Sequence, residues 1–235
     1  MKPYCSVPIK ECGEPLVALP GDIFAFVQPH PYEVLGAPYE GKSPFYVRQN
    51  VCDRLIFAQN LLQTHHPNWK IQIFDAFRPL AVQQFMVDYT FADLANQQGL
   101  IPEQLTDTQR QDLYELVYKF WALPDSNPMC PPPHSTGGAI DVTLVDAAGQ
   151  VVNMGSAIDE ISPRSYPNYF ANSPHSTEQT FHQHRTLLNQ VMSRVGFKRH
   201  ENEWWHFCYG DQLWAWLTNQ ENPARFTIAH YGRVS

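Results

Sequence analysis

Residues 134–145 read His-Ser-Thr-Gly-Gly-Ala-Ile-Asp-Val-Thr-Leu-Val. From Gly138 to Val145 they alternate, with Ile140, Val142 and Leu144 on one face and Ala139, Asp141 and Thr143 on the other. That period of two predicts a strand. Asp141 interrupts an otherwise apolar strand, and a carboxylate there needs a partner to offset its desolvation. His134 and Asp141 bracket a Gly-Gly turn that lets the chain fold back, so imidazole and carboxylate can converge on one ion. Just upstream, residues 124–133 hold five prolines and read as irregular loop, and Pro131–Pro133 fix the approach of His134.

Working outward, Lys70–Phe77 is β-rich and reads as a second strand, closed by Arg78-Pro79. Pro79 suits the first turn of a helix over about 79–97. Helical spacing of Val51, Leu55, Ala58 and Leu62 predicts a helix over about 50–64, and Pro102 opens another helical stretch to about Leu123. Ser176-Thr-Glu-Gln179 fits a capping box ahead of a helix that Gly196 stops. Phe197–His200 and Glu203–Tyr209 read as a hairpin turning near Glu201-Asn202. Helices and strands are mixed without regular βαβ alternation, so the class is α+β. The expected form is a single domain over 1–235, with a small antiparallel sheet carrying the site and helices packed around it. Residues 1–48, rich in Pro, Gly and Tyr, form a strand-and-loop wrap, and the catalytic core spans about 49–215.

Composition narrows the function. The chain has 235 residues, the size of one domain rather than two. Lys+Arg is 16 and Asp+Glu 23, a net charge of −7 that argues against nucleic acid or anionic lipid as the main partner. Hydrophobic residues at 43% are ample for a core, which excludes wholesale disorder. No stretch approaches the ~20 apolar residues of a membrane helix, and the opening residues lack the apolar run of a secretory signal. Cys5, Cys12, Cys52, Cys130 and Cys208 form no CxxC pair, and an odd count cannot all be paired within the chain. A reduced, cytoplasmic setting is the simpler expectation, and a Cys5–Cys12 bridge with export to the periplasm is the alternative.

The second chemical signal is Glu203-Trp-Trp-His206. His206 supplies a third ligand beside His134 and Asp141, and two His with one carboxylate leave a fourth position open, as in catalytic zinc sites. Glu203, three residues earlier, is placed to act as general base beside one zinc per chain. Each of these residues alone reads as an ordinary loop, strand or core residue, but the combination does not. His182-x-His184 falls in a helix that splays the two side chains apart. His65, His66, His175 and His200 read as exposed or turn residues, and His30 and His230 carry no signal.

His134-x-x-Gly137-x-Ala139-x-Asp141 with Glu203-x-x-His206 resembles the D-alanyl-D-alanine metallopeptidases. Asp75-Ala-Phe-Arg-Pro79, Met154-Gly155-x-x-x-Asp159 and Arg164-Ser165 narrow the resemblance to D-Ala-D-Ala dipeptidases of the vancomycin-resistance type, over about residues 45 to 210. The resemblance implies that His134, Asp141 and His206 bind zinc and that Glu203 activates water and then protonates the leaving amine. It implies that Arg78 stabilises the oxyanion and that Asp159 pairs with the ammonium of a small D,D-dipeptide. Asp75 would orient Arg78 or line the pocket. Pro132 stands where such enzymes commonly have Ser, which bears on substrate preference. A D,D-carboxypeptidase acting on peptidoglycan stem peptides and a non-catalytic zinc or peptide-binding module are the competing readings. Oligomeric state has no sequence signal.

Overall fold

The computed structural model describes residues 2–234. Its strands are β1 (Leu16–Ala18), β2 (Ala25–Phe26), β3 (Tyr46–Arg48), β4 (Lys70–Asp75), β5 (Ala139–Val145), β6 (Lys198–Arg199) and β7 (His206–Cys208). Its α-helices are α1 (Pro31–Val34), α2 (Gln49–His65), α3 (Leu80–Gln97), α4 (Asp107–Phe120), α5 (Ser176–Arg194) and α6 (Gln212–Glu221). The main sheet runs β2-β4-β5-β7-β6, and β1 pairs with β3 in a separate ribbon. The α+β class is as expected.

The sheet is not wholly antiparallel, because β2 runs parallel to β4. The 27–69 connection, with α2 inside it, is long enough for the crossover a parallel pair requires. It also carries residues 25–26 into the main sheet, so the N-terminal region does more than wrap.

β5 is the centre strand, buried along its whole length. Ile140, Val142 and Leu144 pack with Val51, Leu55 and Leu62 of α2 and with Leu188, Val191 and Met192 of α5. Burial of each such side chain contributes about 1.5–3 kcal/mol. A second apolar cluster joins α3 and α4 through Val82, Met86, Phe91, Leu113 and Val117, and it includes Tyr32, Tyr39 and Trp121. Antiparallel register then sets Asp75 opposite Asp141 and Asp141 opposite His206. Three polar residues from three strands thus form one row across the sheet.

Three local expectations need correction. The helix beginning at Ser176 is capped by His175 without a side-chain bond, so Ser176-Thr-Glu-Gln179 is not a capping box. Glu178 bonds Ser173 one turn earlier instead. The reciprocal box is at Thr106 and Gln109, opening α4 after a separate 3-10 turn, Pro102–Gln104. The cysteines differ as well: Cys5 bonds Cys130, 125 residues away, leaving Cys12, Cys52 and Cys208 free. Contact between residues that distant has no local sequence cue.

Candidate metal centre and substrate cavity

His134 lies on a 3-10 turn, Pro133–Thr136, that follows the proline run. Gly137 ends the turn in the left-handed region at φ 73°, where a Cβ would strike Leu16. A Cβ on Gly138 would come within 2.7 Å of the Tyr209 carbonyl, so both glycines are sterically required. The turn is tied to residue 78: Ser135 Oγ donates to the Arg78 carbonyl at 2.8 Å, and the Arg78 N–H donates to the His134 carbonyl at 3.3 Å.

His134, Asp141 and His206 are buried, and one ligand atom from each lies within 4.8 Å of the others. His134 Nε2 is 3.1 Å from His206 Nδ1. The Asp141 oxygens stand 3.2 Å from His134 Nε2 and 3.0 Å from His206 Nδ1. Ligand bonds of about 2.0–2.1 Å place the corners of a tetrahedron roughly 3.3 Å apart, so the spacing fits zinc. His134 Nδ1 sits 2.7 Å from the Ala76 carbonyl, which holds the proton there and leaves Nε2 free for a cation. Burial lowers His206 below its ordinary value, favouring the neutral ring that a metal needs. Burial would raise Asp141, but the two imidazoles outweigh it and hold its carboxyl well below the usual range.

Glu203 is buried in the turn before β7, its carboxylate 3.8 Å from His206 Nδ1 and 3.8 Å from His200 Nδ1. Trp204 and Trp205 lock this turn: Trp204 Nε1 donates to Ser156 Oγ at 2.9 Å, and the Val142 N–H donates to the Trp205 carbonyl at 3.1 Å. Burial and the nearby charges of Asp141 and Asp159 push Glu203 well above its ordinary value.

Arg78 follows the end of β4. Its Nε and Nη2 donate to Asp75 Oδ2 at 3.0 and 2.8 Å, and Nη1 donates to Gln83 Oε1 at 2.8 Å. The guanidinium lies against Tyr32 and Trp121, with Cζ 5.1 and 4.9 Å from the ring centroids. Asp75 is fully buried against Arg78 and is not among the residues that line the cavity. Tyr39 Oη donates to its other oxygen at 3.0 Å, and His30 Nε2 lies 3.2 Å from it. Burial alone would raise Asp75, yet Arg78, His30 and His134 hold it below the ordinary carboxylate value.

Asp159 reaches the same cavity from the loop after Gly155. Tyr32 Oη donates to its Oδ2 at 2.7 Å. Burial and the charge of Asp141 raise it to about 7. The loop is held by buried Arg185, which donates to the Met154 carbonyl at 2.7 Å and the Tyr166 carbonyl at 2.9 Å. His134, Asp141, His206, Glu203, Arg78 and Asp159 all border one recess, together with Gln83, Trp121, His200 and Trp205.

Residues 26–225 match the model of a peptidase family described as D-Ala-D-Ala dipeptidase. The chain belongs to this family. It is therefore a metallopeptidase, and its His134–Asp141–His206 cluster is where the metal would sit. Across its full length the chain is 49% identical, over 240 residues and 97% of the relative, to a D-alanyl-D-alanine dipeptidase of Synechocystis sp.. It is 40% identical over 74 residues, 32% of this chain and 36% of the relative, to one from Escherichia coli K12. A solved LD-carboxypeptidase structure overlays 91% of this chain and 75% of its own, at 16% identity and a TM-score of 0.45.

Several residues around the family's site carried no sequence signal. His200, read as an exposed or turn residue, lies half-buried in the turn after β6 beside His206, and desolvation pulls it below its ordinary value. His30 is buried against Asp75. Tyr32 and Tyr39 hold Asp159 and Asp75 from distant positions, and Gln83 holds Arg78 from the first turn of α3. His182 and His184 lie on α5, as their helical spacing predicts, and His184 Nδ1 contacts the Asn153 carbonyl.

Proposed function

We propose that this chain hydrolyses the D-alanyl-D-alanine dipeptide to two D-Ala, with one zinc held by His134, Asp141 and His206. The observation that carries the reading is the 3.0–3.2 Å triangle of ligand atoms with Glu203 beside it and Arg78 and Asp159 on the same recess. A zinc ion there supplies Lewis acidity, polarising a carbonyl and acidifying water. Glu203 accepts the proton of the attacking water and returns it to the amine that leaves. Arg78, oriented by Asp75 and Gln83, donates to the scissile carbonyl oxygen as it gains negative charge. Asp159 pairs with the substrate's free ammonium and sets the length limit at that end. The recess is bounded by Phe120, Trp121 and residues of the first turn, which suits a dipeptide better than a long stem peptide.

Among the described residues no helix is long and apolar enough to cross a membrane. The Cys5–Cys130 bond favours an oxidising compartment over the reduced one expected from the odd cysteine count. Release of D-Ala from D-Ala-D-Ala and from a pentapeptide stem, with and without a chelator, tests the proposal. Chelator-sensitive cleavage of the dipeptide alone is expected; preference for the stem peptide overturns it in favour of a carboxypeptidase.

A further inference from the structure

A dipeptide with free ends is a zwitterion, so its carboxylate needs a cation, and Arg78 has little capacity to spare. Three of its five N–H groups are committed to Asp75 and Gln83, and Nη2 also lies 3.4 Å from Tyr32 Oη. The other Lys or Arg bordering the cavity is Lys2. Its Nζ donates to the Tyr118 carbonyl at 2.7 Å, and an ammonium with three N–H groups has two more to offer.

The segment that carries Lys2 is anchored. The 3-10 turn Pro3–Ser6 packs on α6 through Tyr4 and Leu213, and Tyr4 borders the cavity beside Lys2. Cys5 is bonded to Cys130, four residues before His134. Gln212 Nε2 donates to the Val7 carbonyl at 2.6 Å and the Met129 carbonyl at 3.0 Å, joining both strands of chain to α6. Lys2 and Asp159 both border this cavity, so opposite charges are available on it for the two ends of a zwitterion.

We propose that Lys2 determines specificity by receiving the C-terminal carboxylate of the substrate, while Asp159 receives the ammonium. This rests on the dipeptidase reading and deepens it: the second length limit is supplied by a segment that the Cys5–Cys130 bond fastens over the site. Were Lys2 only a neutralising neighbour of Glu203, its removal would affect charged and uncharged substrates alike.

The test compares D-Ala-D-Ala with D-alanyl-D-alaninamide in the zinc-loaded wild type, Lys2→Met and Lys2→Arg. Wild type should favour the acid, and Lys2→Met should cut that preference about 10–100-fold, mainly through KM, with Lys2→Arg restoring most of it. Calorimetric binding of the dipeptide to Glu203→Gln should weaken by a similar factor when Lys2→Met is added. An acid-to-amide ratio unchanged in Lys2→Met overturns the Lys2 assignment while leaving dipeptidase activity standing. A wild type inert on D-Ala-D-Ala overturns the dipeptidase reading and the assignment with it.

Discussion

Substituting Asp75→Asn keeps the shape of a fully buried side chain and removes its charge. Its Oδ2 accepts two charge-assisted bonds from Arg78, at 3.0 and 2.8 Å. Bonds to charged groups contribute about 1.5–3 kcal/mol and neutral ones about 0.5–1.5, so two of them weaken by about 2–3 kcal/mol together. The Tyr39 hydroxyl rotates to accept from the new amide, which limits further loss. For a domain of this size the melting temperature should fall by about 4–12 °C. Asp75 is held below its ordinary value, so its contribution is present above about pH 4 and is lost as pH falls through the folded value. The stability gap between wild type and variant should therefore close in acid. Catalysis should suffer mainly through Arg78: kcat falls about 10–100-fold with KM nearly constant, because the orienting interaction matters when the carbonyl gains charge. Steady-state kinetics on D-Ala-D-Ala and thermal melts from pH 3 to 8 measure both. A raised KM at unchanged kcat would show Asp75 touching substrate and refute the reasoning.

Asp159→Asn should raise KM for D-Ala-D-Ala about 10–100-fold with little change in kcat, since the ammonium loses an ionic partner; an unaltered KM contradicts the role. Alkylation of the unfolded, unreduced chain should modify three cysteines, and reduction should raise this to five; five without reductant would refute the Cys5–Cys130 pairing. Cys130→Ser, which opens a loop spanning 125 residues, should destabilise by roughly 5 kcal/mol in the chain-entropy account, read as a shift in the denaturation midpoint.

Much of the centre was legible because its parts are local. His134, Gly137, Gly138 and Asp141 fall within one turn and strand, and the Glu203–His206 spacing lies within another short segment, so residue type and interval carry the chemistry. Helix spans around them followed from local signals: the one expected over 50–64 from apolar spacing is Gln49–His65, and the one over 79–97 from Pro79 is Leu80–Gln97. What stayed hidden depends on long-range contact. Tyr32 reaches Asp159 across 127 positions, and Lys2 reaches Tyr118 across 116. The β2–β4 pairing and the disulfide join segments whose local sequences name no partner.

In the proposed mechanism, metal binding and proton transfer belong to different residues of one site. Zinc content and D-Ala-D-Ala turnover measured on the same preparation of Glu203→Gln test it most directly. One zinc per chain, with turnover reduced by about 10²–10⁴, is the predicted result. Turnover near that of wild type, or loss of the metal with the glutamate, would contradict it.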